Sequence, residues 1–206
     1  HTGSLASGAE IWRGLARQTG VAIVRTLDEF LDVLLAFQTL APHTHRPTRR
    51  CVLFGNGGGT SVLAADAFGR RGLEVAPIPQ AAVDALAALG LPPGTSIVNP
   101  IDAPAYTLRQ DEGRIAERIL DIALQHGEPD AVVMHINLPV FIGSADQRID
   151  VLGNLVDAAM RVRAKHPGQA HFALVLRSDG AEASERRRRD FRYNAVRQGI
   201  PVYDEM

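Results

Sequence analysis

The residues best suited to chemistry form one short stretch, Gly55-Asn56-Gly57-Gly58-Gly59-Thr60-Ser61, between an apolar run and a segment with helical periodicity. Glycines let a backbone approach an anion closely. The unpaired N–H groups and positive dipole end of a following helix favour negative charge. Phosphate is the natural ligand, so Gly57, Gly58, Gly59, Thr60 and Ser61 are expected to bind it. The plainer reading is a tight strand-to-helix turn that uses glycine for its backbone angles, although three adjacent glycines exceed what a turn needs. The stretch is no Walker A element, because no Gly-Lys-Ser/Thr follows, and it is a poor dinucleotide fingerprint, because Thr60 stands at the third glycine position. The next apolar run ends in Pro77-Ile78-Pro79 and offers no acid for a ribose.

A second candidate is Asn99-Pro100-Ile101-Asp102, where proline fixes a turn and Asn99 and Asp102 present hydrogen-bonding side chains. An Asx turn before a helix is the equal alternative. His43 and His45 lack nearby carboxylate or cysteine partners, so no metal site is expected. His135, inside an apolar run, reads as a hydrogen-bonded core histidine. Arg186 to Arg189 read as a solvated or subunit-facing helix surface. No Ser-His-Asp arrangement or Gly-x-Ser-x-Gly elbow is present. Lys165, the single lysine, sits in a polar helix end and is poorly placed for catalysis.

These residues need a frame, and the chain has the means to build one. Its 206 residues are 46% apolar and 22% charged, enough for one substantial core and a small appendage. A formal net charge of −1 gives no reason to expect nucleic acid or an anionic membrane as partner. Cys51 is the one cysteine, which excludes an internal disulfide and fits a reducing cytoplasm. No apolar stretch suits a membrane span, and the start lacks a signal-peptide pattern. The opening His1-Thr2-Gly3-Ser4, without methionine, is expected of a fragment.

Residues 1–47 read as an arm of helix, strand and helix. Helical spacing runs from Ala9 to Gln18 with Gly20 as its stop, Val21 to Val24 reads as a strand, and Thr26 with Glu29 forms a capping box for a second helix. Residues 41–50 are polar and proline-bearing, as expected of a linker. From residue 48 to 206, strands expected at 51–54, 74–78, 96–98, 131–136, 172–176 and 201–203 alternate with helices near 61–71, 80–89, 109–125, 145–164 and 181–197. Apolar strands separated by helices imply an α/β, doubly wound parallel sheet, with its ligand site beyond the carboxyl ends of the strands.

Several motifs in order carry a family resemblance: His1-Thr2-Gly3-Ser4-Leu5-Ala6, Arg17-Gln18-Thr19-Gly20-Val21, Thr26-Leu27-Asp28-Glu29-Phe30, Asn56-Gly57-Gly58-Gly59 with Val62-Leu63-Ala64-Ala65-Asp66, and Asn99-Pro100-Ile101-Asp102. Together they resemble the NDP-forming acyl-CoA synthetases, which include ADP-forming acetyl-CoA synthetase and are related to succinyl-CoA synthetase. The resemblance runs to Gly199-Ile200-Pro201-Val202-Tyr203. It implies a flavodoxin-like domain of the succinyl-CoA synthetase type and a reaction of acid, CoA and NTP through an acyl phosphate and a phosphohistidine. His1 matches that histidine, and the glycine loop matches the element that holds the phosphohistidine loop. The resemblance further implies CoA, ATP or ADP and Mg for the full-length enzyme. It also implies a CoA-binding Rossmann domain and an ATP-grasp domain as partners, a homo-oligomer, and no activity from the fragment alone. The alternative is a ligand-sensing module of a protein acetyltransferase, or a subunit-contact module. The departures, Ser7-Gly8 and the Arg186 to Arg189 run, leave the acyl group unassigned.

Overall fold

The computed structural model describes residues 8–41, 46–142 and 149–205. The chain divides into two compact units, one up to Gln38 and one from Thr39.

The first unit holds two helices. Helix α1 (Ala9–Thr19) ends where Gly20 takes φ +74° and returns its N–H to the Ala16 carbonyl at 2.8 Å, as a left-handed glycine cap does. Helix α2 (Leu27–Thr39) starts on Thr26, whose Oγ1 accepts the Glu29 N–H at 3.0 Å. The expected box closes one residue early: the Glu29 carboxylate accepts from the Arg25 N–H at 2.6 Å and pairs with the Arg25 guanidinium at 2.9 Å. Between the helices, residues 20–24 form no strand, which corrects the expected helix-strand-helix arm. Four β-branched or apolar residues have the propensity, but no described strand pairs with them, and strand hydrogen bonds need a neighbour.

The second unit is a five-stranded, all-parallel sheet of β1 (Cys51–Gly55), β2 (Ile101–Asp102), β3 (Ala131–Asn137), β4 (His171–Arg177) and β5 (Val202–Tyr203), in the order β2-β1-β3-β4-β5. The chain leaves β1 to form the edge strand β2 and then returns across to β3, so strand order reverses between β1 and β3. Helices α3 (Gly58–Arg70), α4 (Gln80–Ala87), α5 (Ala105–Leu108), α6 (Ile115–Gly127), α7 (Val151–Lys165) and α8 (Glu182–Arg197) make the connections.

Alternation along the strands divides the core in two. Val52, Phe54, Val132, Met134, Phe172 and Leu174 face a large cluster with residues of α4, α6, α7 and α8. Leu53, Val133 and Val175 face the other way and pack with Ala64 of α3 in a much smaller cluster. His135 follows Val133 by two residues, and so lies on the thin α3 side.

Three expected elements differ. The run 74–78 contributes a single bridge, Arg50 with Glu74, because Pro77 and Pro79 have no N–H for a ladder. The extended piece at 96–98 is no strand either, and pairing to β1 begins instead at Ile101. The helix expected over 109–125 opens as a 3-10 turn at Gln110–Gly113 and becomes α-helical only in α6. Gly113 takes φ +88°, and a Cβ there would lie 2.5 Å from the Val151 carbonyl oxygen, so the close approach of α7 requires glycine at this position.

The Arg186 to Arg189 run is largely paired locally. Arg187 binds Asp150, the N-cap of α7, and stacks its guanidinium 4.6 Å from the Phe191 ring centroid; Arg188 meets Glu185 at 2.6 Å and Asp204 at 3.3 Å. Lys165 binds Glu117 at 2.9 Å.

Asp130 fastens the entry to the sheet. Its Oδ2 accepts the N–H groups of Arg49 and Arg50 at 3.0 and 2.8 Å, and Arg46 reaches Oδ1 at 2.8 Å. Burial pushes this carboxyl up, but the two N–H donors and the arginine charges outweigh burial and hold it below the usual range. A depressed carboxyl stabilises the fold above its unfolded pKa and loses that stabilisation as pH falls through the folded value. Asp130→Asn is therefore expected to cost roughly 1–3 kcal/mol at neutral pH. The gap to wild type should close below about pH 4, as read by denaturant unfolding across pH.

Candidate functional site

The glycine loop lies where strand order reverses, at the carboxyl ends of β1 and β3, the position at which doubly wound sheets bind ligands. Gly55 ends β1 opposite His135, and a Cβ on Gly55 would lie 2.0 Å from the His135 carbonyl oxygen and 2.7 Å from its ring. Only glycine allows these strands to pair with the imidazole in place. Asn56 is buried, and its Oδ1 accepts the Asn137 N–H at 2.9 Å, tying the loop to the end of β3.

Gly57 then takes φ +122°, which L side chains rarely adopt, and becomes the cap of α3. The Ser61 N–H returns to the Gly57 carbonyl at 3.1 Å. Gly58, Gly59 and Thr60 form the first turn, where N–H groups have no carbonyl within the helix to bind, and all three are exposed or half-exposed. Of the five residues expected to bind phosphate, these three offer backbone donors outward.

Gly57 and Ser61 are engaged elsewhere. The Gly57 N–H donates to Asp102 Oδ1 at 2.8 Å, and the Ser61 hydroxyl stands 2.9 Å from His135 Nε2, sharing one proton in a direction set by the tautomer. Ser61 is buried. Burial pushes the His135 imidazole down to about 4, with Asp102 opposing and Arg177 reinforcing the shift, so the ring is neutral at physiological pH.

Asn99 and Asp102, read together from sequence, have separate tasks. The Asn99 amide accepts the Leu53 N–H at 2.9 Å and donates to the carbonyls of Cys51 and Ala76 at 2.7 and 2.8 Å. It stands in for a neighbouring strand's peptide and faces the backbone of β1. Asp102, at the end of β2, is the member that reaches the glycine loop.

Arg177, at the end of β4, was not singled out by sequence reasoning. Its Nη1 donates to Thr60 Oγ1 at 2.8 Å, which sets a cation beside the positive end of α3. The signal available was position alone: a basic residue closing a buried strand at the carboxyl edge of the sheet. His1, His43 and His45 lie outside the described residues. Among the described residues no three histidine, cysteine, aspartate or glutamate side chains group to hold a metal ion, and no helix is long and apolar enough to cross a membrane. Cys51 is buried at the opposite end of β1, with its thiol pushed up to about 11 by burial and then by Asp130, which makes it a poor nucleophile.

Fold and loop together define a flavodoxin-like α/β domain with an exposed helix N-terminus at its switch point. No protein-family model matches the chain. It is 32% identical over 143 residues, 69% of its length, to the alpha subunit of acetate–CoA ligase [ADP-forming] II of Pyrococcus furiosus. It is 27% identical over 135 residues to 4-hydroxybutyrate–CoA ligase [ADP-forming] of Nitrosopumilus maritimus. It spans 29% and 18% of these relatives' lengths. A crystal structure of a Pyrococcus horikoshii OT3 protein shares the fold over 97% of this chain and 41% of its own, with TM-score 0.74 and 24% identity. Dinucleotide-forming acetyl-coenzyme A synthetase 1 of Ca. Korarchaeum cryptofilum, in complex with phosphate and ADP, does so over 100% of this chain and 39% of its own, with TM-score 0.68 and 21% identity. The chain is thus a relative of the ADP-forming acyl-CoA ligases, as its motifs implied, and corresponds to part of their length.

The buried Ser61–His135 pair predicts a pH response. Because folding depresses the imidazole from 6.5 to about 4, the unfolded chain binds a proton in that window that the folded chain does not. Stability is therefore full above about pH 6.5 and declines toward pH 4. His135→Gln, which can still hydrogen-bond Ser61, should remove this part of the decline. Thermal unfolding of both proteins from neutral to acid pH measures it.

Proposed function

We propose that this chain is the flavodoxin-like part of an NDP-forming acyl-CoA synthetase, in which the loop of Gly57, Gly58, Gly59, Thr60 and Ser61 with the start of α3 cradles phosphate or a phosphoryl group. The observation that carries the reading is the exposed first turn of α3 at the switch point, flanked by the Arg177 guanidinium. Sequence relatedness to ADP-forming ligases supports the reaction: acid, CoA and NTP give acyl-CoA, NDP and phosphate.

In this reading residues 1–47 form an arm that begins at the phosphohistidine loop with His1. In the reverse, NTP-forming direction a neutral His1 imidazole attacks the phosphorus of an acyl phosphate, the acid leaves as its carboxylate, and the phosphoryl group is stored on nitrogen before passing to NDP; in the acyl-CoA-forming direction the same steps run backwards from NTP. The positive end of α3 stabilises the phosphoryl charge by about 1 kcal/mol or more when partly buried, and Arg177 adds a full charge. CoA, ATP or ADP and Mg belong to the CoA-binding Rossmann and ATP-grasp domains of a cytoplasmic, homo-oligomeric parent.

Calorimetry with inorganic phosphate tests the cradle directly. Gly58→Val should weaken binding by about tenfold or more while the domain stays folded, and unchanged affinity would count against it. In the intact parent, labelled NTP should yield an acid-labile, base-stable phosphoprotein that disappears in His1→Ala. Label persisting in that variant would remove His1 from the mechanism.

A further inference from the structure

Helix α8 buries Ser184, Phe191 and Ala195 against the sheet. At 3.6 residues per turn, Glu182, Arg186, Arg189, Asp190, Tyr193 and Arg197 fall within about 100° of arc on the opposite side, and all six are exposed. The run Arg186 to Arg189 is thus divided. Arg187 and Arg188 turn back to Asp150, Glu185 and Asp204 and hold the fold, while Arg186 and Arg189 look outward. Arg186 meets Glu182 at 3.1 Å with the two side chains 67% and 85% exposed, and a pair so exposed contributes little and is open to exchange. The ion pairs of α8 engage Arg186, Arg187, Arg188 and Arg192, and among the described residues they leave out Arg189 and Asp190. Tyr193 is 62% exposed, with the Arg197 guanidinium 5.3 Å from its ring centroid.

The order of charges on this face is self-complementary. Glu182 and Arg197 are the first and last residues of α8, so its midpoint lies between Arg189 and Asp190. When a second α8 is laid antiparallel across that midpoint, Arg189 faces the partner's Asp190, Glu182 faces the partner's Arg197, and Arg186 stands over the ring of the partner's Tyr193. A two-fold axis repeats each contact. Every charge then meets its opposite or an aromatic face, which an arginine also favours. A parallel pair would set each charge against its own copy. Nucleic acid is a poorer occupant, because two carboxylates stand among the three guanidiniums.

We propose that the outer face of α8 is a self-docking surface, which joins two copies of this chain through an antiparallel α8 pair. The inference draws nothing from the glycine loop, so it stands or falls apart from the phosphate reading. One helix pair is a small interface and its ion pairs are exposed, so the association is weak and sensitive to salt.

The test is sedimentation velocity of the full chain over a concentration series up to about 1 mM, at low and at high salt. Wild type should pass reversibly from monomer to dimer, and salt should weaken the pairing. Arg189→Asp sets two carboxylates against each other at both central contacts and should weaken the dimer by about tenfold or more. Asp190→Arg should do the same with two guanidiniums. An equimolar mixture of the two variants restores opposite charges at both contacts and should dimerise as wild type does, a recovery that misfolded chains would not give. Circular dichroism of each variant should match wild type, as expected of exposed substitutions. A wild type that stays monomeric throughout the series overturns the proposal. So does a dimer indifferent to both charge reversals, which would place the junction elsewhere, and so do folded variants that fail to pair when mixed.

Discussion

The close approach of Gly55 to His135 holds the sheet and the site in one arrangement. The two residues are paired across β1 and β3, and the space that a Cβ would take on Gly55 is filled by the His135 carbonyl and imidazole. With the ring beside Gly55, its Nε2 reaches Ser61 in the first turn of α3. The direction of α3 is therefore set from beneath, by a buried hydrogen bond, and its free N–H groups are aimed outward by the same contact. A larger residue at position 55 would separate the strands at the point where their order reverses, and the loop would lose its base.

The electrostatics of the loop follow from which charges can exist there. His135 is kept neutral by burial, so the floor of the site carries no charge to compete with the helix end. Arg177 supplies a cation from β4 and Asp102 an anion from β2, each at a strand terminus and each hydrogen-bonded to the loop. Parallel strands place their carboxyl ends together, which is how residues more than 70 positions apart meet around one helix turn. The thinness of the α3 face matters as well. With only a small cluster around Leu53, Ala64, Val133 and Val175, the first turn stays open to a ligand or a neighbouring domain.

Much of the fold was legible in the residues themselves. Uninterrupted apolar runs such as Ala131 to Ile136 can be satisfied only inside a sheet covered on both faces, and Gly20 and Thr26 mark helix ends through local hydrogen bonds that depend on no distant partner. The glycine loop was legible for the same reason: a strand, a cluster of glycines and a helix define a tight turn with free N–H groups by local geometry alone. The readings that changed all depended on neighbours. Val21 to Val24 had strand propensity without a described strand to pair with, Glu74 to Ile78 contains Pro77 and is followed by Pro79, and the helix through Gly113 is interrupted where Asp111, Glu112 and Gly113 take positive φ.

The amino-acid sequence by itself determined the class of sheet, the position of its glycine loop and the kinship with acyl-CoA synthetases, since each rests on residues adjacent in the chain or on motifs in order. Only the tertiary structure decided the company of that loop. It parted Asn99 from Asp102, giving the first to the backbone of β1 and the second to the helix end, and it brought Arg177 to Thr60 across 117 positions. It also supplied the partner of His135, read from sequence as a hydrogen-bonded core histidine: the ring supports Ser61 from beneath. The physical reason is register: which side chains meet at the edge of a parallel sheet depends on how strands align and which face each residue takes. Those quantities are set by packing between segments and leave no mark in any one of them.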